Sequence, residues 1–228
     1  MHPSFSKYKI HRDGIGFSFA FIVASYLIGR INLTLGYLCS LSVPWCLYFF
    51  RVPNRTPVTD AGLIISAADG RVVSIKDVVP PPEFGLGDLP RTRISVFLNI
   101  FDVHVNYVPI SGQITHIYYE QGHFFNAAKD KASEHNEKNA IVIQLNCASK
   151  RTLGVVQIAG LVARRIRCDV RCGDAVKTGQ YYGLIRFGSR LDMYLPEHAQ
   201  VRVNVGDRVR AATTVVAELL CEDEAHHE

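Results

Sequence analysis

The sequence predicts a mainly β fold: a β-rich α+β domain with hammerhead-like hairpin repeats, preceded by an N-terminal membrane-associated helical hairpin. Two long apolar runs near the N-terminus indicate the helices. From Pro53 onward, short β-branched runs alternate with Gly, Pro, Asp and Asn, a pattern typical of strands and turns. A chain of 228 residues can form one core plus an anchoring segment. We therefore expect two parts, residues 1–52 and residues 53–228.

The apolar runs cover residues 14–29 and 31–50 and meet at Arg30. The first is short for a full span of roughly 20 residues, and Pro44 is expected to kink the second. By the positive-inside rule, basic residues on the outer flanks place both ends on the cytoplasmic side; these are Lys7, Lys9, Arg12, Arg51 and Arg55. We expect a hairpin that dips into the inner cell membrane or crosses it twice. The alternative is a helix pair buried in a soluble core.

Charge and cysteine content exclude several classes of protein. The net charge is +4 and the basic residues are spread along the chain, so we expect no nucleic-acid partner. The cysteines lack CxxC spacing, which indicates reduced thiols rather than a zinc site or a disulfide framework. His116, Glu120 and His123 are the remaining candidate ligands, but they span an expected strand-to-loop transition. We therefore expect no metal.

An internal repeat lies in the second half of the chain. VRCGDAVKTG (170–179) and VNVGDRVRAA (203–212) share the pattern V-x-x-G-D-x-V followed by Lys or Arg. A Gly-Asp turn between two strands, used twice, resembles the β-hammerhead of biotinyl and lipoyl carrier domains. Those carriers present a Lys beside a Met, and no Met-Lys pair occurs in this sequence. The repeat therefore predicts a related β architecture without carrier function.

The segment RFGSRLDMYLP (186–196) contains the first candidate for chemistry. Ser189 is not in the G-x-S-x-G elbow of a serine hydrolase. Gly188 before it lacks a Cβ, so its carbonyl is open to attack by the Ser189 hydroxyl. Such an attack cleaves the chain and, after β-elimination and hydrolysis, leaves a pyruvoyl group that can act as an electron sink. The alternative is an ordinary Gly-Ser turn.

A hydroxyl needs a base to become a nucleophile at neutral pH, and two residues could supply the helper groups. His104 lies within the β-branched run FDVHVNYVPI, and Asp69 lies at a turn entering the strand of ADGRV. An imidazole can accept the hydroxyl proton and a carboxylate can orient the imidazole. The alternatives are a core histidine that hydrogen-bonds to backbone and a simple turn aspartate.

Several segments together resemble the short-form phosphatidylserine decarboxylase proenzymes, which belong to the pyruvoyl-dependent decarboxylases. The resemblance covers nearly all of the chain and is specific because the segments occur in the family's order: YFFRVPNR, ADGRV, FLNIFDVHVNYVPISGQI, QGHFFNAAKDKASEHNEKN and FGSRLDMYLP. It implies cleavage between Gly188 and Ser189, a large β chain (1–188) and a small α chain (189–228). It also implies a pyruvoyl cofactor derived from Ser189 and a helper pair carried onto Asp69 and His104.

The resemblance also implies substrate, partners and location. The substrate would be phosphatidylserine, condensed through its amine and decarboxylated to phosphatidylethanolamine, with His104 as proton donor at carbon. The two cleaved chains would form a heterodimer, at the cytoplasmic side of the inner membrane, as a peripheral or monotopic enzyme of phospholipid biosynthesis. One departure affects the base: longer members have a second His where this chain has Tyr107. The role of that His then passes to His104 or to another group.

Two other classes of function stay open from the residues alone. A serine hydrolase predicts one intact chain that reacts with fluorophosphonates at Ser189. A membrane-tethered hammerhead binding module predicts neither cleavage nor that reaction, and it tolerates Ser189→Ala.

Overall fold

The computed structural model describes residues 10–122, 136–146, 151–160, 165–186 and 188–219. The chain divides into two compact units. The first contains the residues up to Asn54 together with Ile100–Val103, and the second contains Arg55–Asn99 and the chain from His104 onward. The short segment Ile100–Val103 therefore belongs with the N-terminal helices, although it is distant from them in sequence.

The first unit consists of three helices, α1 (Arg12–Ile31), α2 (Leu33–Ser40) and α3 (Ser42–Phe49). Asn32 ends α1 and begins α2, because its side-chain oxygen accepts a hydrogen bond from the Leu35 N–H at 3.1 Å. The second apolar run is two short helices that meet at Leu41, so Pro44 falls in the first turn of α3, where a missing N–H is tolerated. An antiparallel bridge between Ile10 and Arg51 brings the two ends of the helical segment together.

The surface of this unit is strongly apolar. Within the described part of the chain, α1 is the one helix long and apolar enough to cross a membrane. Large apolar side chains are exposed along α1 and α2: Phe19, Ile22, Tyr26, Leu27, Ile31, Leu33, Leu35, Tyr37 and Leu38. An apolar surface of this extent is typical of a protein or membrane contact site.

The segment Ile100–Val103 adds to that surface. The Ile100 side chain is 43% exposed and the Phe101 side chain is 58% exposed. Arg51 donates a hydrogen bond to the Phe101 carbonyl at 2.8 Å, and its guanidinium lies 3.8 Å from the centre of the Tyr48 ring. Arg51, predicted as a flanking charge, therefore also fixes this segment beside the end of α3.

The second unit is built of short strands, which confirms the prediction of a β-rich fold. Among the described residues these strands are β1 (Leu63–Ile65), β2 (Gly70–Val78), β3 (Arg91–Leu98), β4 (Val105–Tyr107), β5 (Gly112–Glu120), β6 (Lys138–Leu145), β7 (Thr152–Ile158), β8 (Ile166–Cys168), β9 (Ala175–Val176), β10 (Tyr181–Ile185), β11 (Ser189–Tyr194), β12 (Ala199–Val201), β13 (Arg208–Val209) and β14 (Val215–Leu219).

Eight of these strands form one antiparallel sheet in the order β13-β2-β3-β11-β7-β6-β5-β9. The other six form two three-stranded sheets, β1-β14-β12 and β4-β10-β8. One face of the large sheet carries the main core, which includes Ile94, Val96, Leu98, Ile141, Leu153, Leu191 and Met193. The other face carries a smaller cluster around Phe84 and Tyr194. Strand β11 lies in the middle of the large sheet and is fully buried.

The two V-x-x-G-D-x-V segments make equivalent turns, which is consistent with the predicted repeat. Asp174 accepts a hydrogen bond from the Arg171 N–H at 2.8 Å, and Asp207 accepts one from the Asn204 N–H at 2.7 Å. The strand after the first turn, β9, pairs with β5, and the strand after the second, β13, pairs with β2. The two turns therefore lie at opposite ends of the large sheet.

This equivalence extends to the strands around the turns. Gly70 begins β2 and Gly112 begins β5, and a Cβ at either position would overlap a carbonyl oxygen of the next strand. The small sheets also match: β1 pairs with β14 as β4 pairs with β10, with a register shift at the same step. The unit thus has two structurally equivalent halves, one around β1, β2, β13 and β14 and the other around β4, β5, β9 and β10. Position 64 in the first half corresponds to 106 in the second, 65 to 107 and 69 to 111.

Candidate active site

Ser189 is the first residue of β11 and pairs with Leu98 of β3. Its side chain shares the core face with Leu191, because residues two apart on a strand point to the same side. The hydroxyl is fully buried, and its oxygen forms no hydrogen bond within the described part of the chain. Gly188 has φ +57°, a left-handed conformation that favours glycine, and apart from its chain neighbours no described residue has an atom within 4 Å of the position of a Cβ. Gly188 therefore has an unusual backbone conformation, which is not forced on it by close packing at the Cβ position.

His104 is fully buried immediately before β4. Its carbonyl accepts a hydrogen bond from the Ile185 N–H at 3.2 Å, at the end of β10. The chain passes from that strand through only residues 186–188 to Ser189. The structure thus brings the backbone of His104 beside the connection that carries Ser189. In the other half of the unit the corresponding position is Gly62, so the imidazole is specific to one half.

Asp69 precedes β2 and is buried. Its carboxylate accepts hydrogen bonds from both terminal nitrogens of Arg55, one of them at 2.7 Å, and from the Ala211 N–H at 2.8 Å. Arg55, predicted as a charge flanking the apolar runs, is thus the ion-pair partner of Asp69. In the other half, Ser111 Oγ accepts a hydrogen bond from the Thr178 N–H at 2.9 Å. The bond to backbone is common to both halves, but the carboxylate is not.

The sheet register gives the distance between Asp69 and Ser189. Arg71 pairs with Phe97, so Gly70 lies beside Leu98, which in turn pairs with Ser189. Two strand spacings separate the ends of β2 and β11, or about 10 Å. Any role of the Asp69 carboxylate in the chemistry at Ser189 therefore has to act across the intervening strand β3.

Tyr107 occupies the position where the longer relatives were expected to have a second His. Its side chain is buried in β4. Burial raises the pKa of Tyr107, the Arg55 charge opposes this, and the Asp69 charge adds to it. A phenol with a raised pKa stays protonated at neutral pH. Tyr107 is therefore unsuited to replace an imidazole as a base.

A chain of buried side-chain amides, missed at the sequence level, lies on the same face as Ser189. Asn139 donates to the Gln157 oxygen at 2.9 Å, and Gln157 donates to the Asn106 oxygen at 2.8 Å. All three residues are buried. A polar residue interrupts the apolar runs HVNYV and GVVQIAG, and that interruption was the available signal.

The opposite face of the large sheet carries charged groups. Arg190 and Asp192 form a fully buried ion pair, with Nε and Oδ1 2.9 Å apart. Asp192 also lines a cavity of about 340 Å³ together with Arg93 and Lys138. Because Arg190 and Asp192 alternate with Ser189 and Leu191 along β11, this cavity lies across the sheet from the Ser189 side chain.

The candidate metal ligands are not gathered where the structure describes them. His116 Nε2 lies 3.0 Å from the Glu83 carbonyl oxygen. His123 lies outside the described residues. Among the residues that are described, no three His, Cys, Asp or Glu side chains form a group that could hold a metal ion.

Comparison with known proteins gives a consistent family. The family model described as phosphatidylserine decarboxylase matches residues 44–217, more than half of the chain. A protein of Rickettsia rickettsii (strain Sheila Smith) named phosphatidylserine decarboxylase proenzyme is 46% identical over 210 residues, which are 92% of this chain and 90% of that protein. A protein of the same name from Cereibacter sphaeroides (strain ATCC 17025 / ATH 2.4.3) is 49% identical over the same shares of both chains.

Proposed function

Since the chain belongs to the phosphatidylserine decarboxylase family, we propose that it works through a pyruvoyl group made from its own Ser189. The enzyme is a carboxy-lyase, and its membership of this family supports decarboxylation of phosphatidylserine as its reaction. Self-cleavage between Gly188 and Ser189 would leave a large chain (1–188) and a small chain (189–228). The product would be phosphatidylethanolamine, made for phospholipid biosynthesis.

The state of the Ser189 hydroxyl is the observation that carries this proposal. Attack of a hydroxyl on its own backbone needs no access from outside, and this hydroxyl is fully buried. A buried hydroxyl with no hydrogen bond in the described part of the chain, next to a glycine with φ +57°, suits attack on its own backbone. Ser189 also follows a strand and begins a strand, which differs from the strand-to-helix elbow of hydrolases.

Self-cleavage is a balanced sequence of bond changes. The Ser189 oxygen attacks the Gly188 carbonyl carbon, the peptide C–N bond breaks, and the hydroxyl proton passes through a base to the released amine. Loss of the Ser189 α-proton then breaks the Cβ–O ester bond and frees the Gly188 carboxylate. The dehydroalanine that remains takes up water and loses ammonia, which leaves a ketone at the start of the small chain.

We assign the base to His104 and a supporting role to Asp69. His104 lies beside the Ser189 connection, and an imidazole titrates near neutral pH, as proton transfer at that pH requires. Tyr107 is excluded as the base by its raised pKa. The backbones of β2 and β11 are about 10 Å apart at these ends, a spacing that an imidazole between the two side chains can bridge. Arg55 holds the Asp69 carboxylate in place.

In decarboxylation the chain orients the lipid headgroup and returns a proton. The pyruvoyl ketone, once formed, supplies an acceptor for the electron pair that carbon dioxide leaves behind. His104 is the proposed donor of the proton to carbon. The buried surroundings of Ser189 exclude bulk water from that carbon.

The apolar helices give the enzyme access to a lipid substrate. The exposed side chains of α1 and α2 suit burial in a bilayer. We place the enzyme at the inner cell membrane with its β-rich unit on the cytoplasmic side, because the basic residues flank both outer ends of the apolar runs.

Intact-mass measurement of purified wild type beside Ser189→Ala tests the proposal. Wild type should give two chains, the smaller one beginning at position 189, lighter than a serine-initiated chain by one ammonia and blocked to Edman sequencing. Ser189→Ala should stay full-length and fail to decarboxylate phosphatidylserine in vesicles. Full-length wild type that decarboxylates lipid while keeping an unmodified Ser189 would contradict the mechanism.

A further inference from the structure

We propose that Asn106 is a further catalytic residue, whose side-chain N–H group donates a hydrogen bond to an anionic oxygen of the serine headgroup. This inference rests on the proposed function, because it names the substrate contact of the same site. It is carried by three observations: the forced orientation of a buried amide, an unused donor, and an apolar counterpart in the other half of the fold.

The chain of amides fixes which way Asn106 points. Asn139 donates to the Gln157 oxygen at 2.9 Å, so the Gln157 nitrogen is directed to its other neighbour. That nitrogen donates to the Asn106 oxygen at 2.8 Å. Because Asn106 uses its oxygen here, its Nδ2 group is turned away from Gln157. With these two hydrogen bonds between buried residues, the donor is directed away from Gln157.

The Nδ2 group of Asn106 is a buried donor without an acceptor in the part of the chain that the structure describes. The residue is fully buried, so bulk water does not satisfy the group. Buried donors are nearly always paired in folded proteins, and an unpaired one calls for a partner such as a bound water, an ion or a ligand. A bound substrate with acceptor oxygens is such a partner.

The other half of the fold shows that an amide is not needed at this position. Ile64 corresponds to Asn106 and is also fully buried, in a strand with the same pairing and the same register shift. The architecture therefore accepts an apolar side chain there, which avoids the cost of burying a polar group. The amide occurs only in the half that also carries His104.

Asn106 is also close to the proposed reaction centre. His104 immediately precedes β4, and Asn106 is the second residue of that strand. Its partner Gln157 pairs with Leu191, which places Gln157 diagonally across from Ser189 at about 7–8 Å. Asn106 is therefore joined through Gln157 to the part of β7 that lies beside the start of β11.

The chemistry of the headgroup decides what this donor binds. The amine is the group that condenses with the ketone, so the acceptors left are the carboxylate and phosphodiester oxygens. Both are anionic, and hydrogen bonds to anionic oxygens are the stronger ones. A neutral amide donates to such an oxygen without adding a charge that would have to be buried.

The central variant is Asn106→Asp, which keeps the size of the side chain and an oxygen for Gln157 but removes the donor. Asn106→Ile removes the donor without adding charge and copies the other half. We expect both to self-cleave as wild type does and to lose about 10- to 100-fold in kcat/KM for phosphatidylserine, the loss typical of a hydrogen bond to a charged group. Asn204→Asp is the control. It makes the same substitution at an exposed residue, and its kcat/KM should match that of wild type.

Binding to the uncleaved precursor gives a readout that does not depend on turnover. In the Ser189→Ala background, calorimetry should show that Asn106→Ile weakens binding of glycerophosphoserine at least tenfold. If Asn106→Ile leaves the binding of glycerophosphoethanolamine unchanged, the contact is with the carboxylate. If Asn106→Ile weakens that binding to the same extent, the contact is with the phosphodiester. Either result supports the proposal. Cleaved, folded Asn106 variants with wild-type kcat/KM and wild-type binding would overturn it, whereas an uncleaved wild type would overturn the proposed function instead.

Discussion

At the scale of single residues, the Gly188-Ser189 pair combines conformational freedom with burial. Gly188 has a left-handed backbone conformation, and the Ser189 hydroxyl that follows it is fully buried. An L-residue in that conformation costs roughly 1–2 kcal/mol, which is an energy large enough to change the orientation of the Gly188 carbonyl. The glycine therefore matters for its φ angle and not for its small volume.

Gly188→Ala should slow self-cleavage by about tenfold without preventing folding, because a Cβ fits the space but disfavours the required φ angle. The measurement is the time course of the small chain on denaturing gels. Gly206→Ala is a matched control, since Gly206 has φ +100°, lies in the turn before β13 and, apart from its chain neighbours, has no described residue within 4 Å of its Cβ position. Equal cleavage rates for the two variants would show that the conformation of Gly188 is irrelevant.

A substitution of Asp69 can test whether self-cleavage needs a carboxylate at this position or only a hydrogen-bond acceptor. Asp69→Asn keeps an oxygen for the Ala211 N–H but removes the charge that faces Arg55. If Asp69 supports the base, we expect self-cleavage to slow by at least about tenfold in a folded protein. Ser111→Ala removes the corresponding backbone bond in the other half and should cleave normally. Normal cleavage of Asp69→Asn would reduce Asp69 to a structural residue.

At the scale of elements, the repeated turns were visible in the sequence but most of the duplication was not. The pattern V-x-x-G-D-x-V survives in both copies because each Asp accepts a backbone hydrogen bond and each Gly has a positive φ. The strands that pair with these turns begin with ADGRV and ISGQI, which share only a glycine and apolar positions. Strand pairing depends on backbone geometry, so equivalent strands can have little sequence similarity.

The second apolar run shows another limit of sequence reasoning. Pro44 correctly marked a disruption, but the helix breaks three residues earlier, at Leu41, so that the proline lies in a first turn. Likewise, the buried position of Asn106 was not evident from HVNYV, because the alternation within a short strand does not say which face meets the core. The nucleophile could be predicted from the sequence because its chemistry is local, whereas the amide chain joins three distant segments.

The segment Ile100–Val103 is expected to touch lipid together with the helices. Ile100 and Phe101 are exposed apolar residues of the helical unit, and Arg51 fixes their backbone. The double change Ile100→Ser and Phe101→Ser should weaken sedimentation with phosphatidylserine-containing vesicles by about tenfold, because it removes two apolar side chains from the lipid contact. Val205→Ser is the control, an exposed apolar residue (60%) of the β-rich unit. Equal losses in both proteins would remove the segment from the lipid surface.

At the scale of the whole molecule, the proposed cleavage would cut the chain at the start of β11, a fully buried strand. β11 would become the first element of the small chain, and it lies between β3 and β7, both of which stay in the large chain. β13 and β14 of the small chain also pair with β2 and β1 of the large chain. The hydrogen bonds and buried side chains that join the products are therefore those of the folded core.

The two chains should accordingly remain one particle after cleavage. Leu191 and Met193 on β11 are fully buried, and releasing the small chain would expose them together with both edges of that strand. Native mass spectrometry of cleaved wild type should therefore show both chains in one complex that matches uncleaved Ser189→Ala plus the mass changes of cleavage. Denaturant should separate the chains only in the same transition that unfolds the β-rich unit. A small chain that dissociates in native buffer would contradict the strand order on which the proposed heterodimer rests.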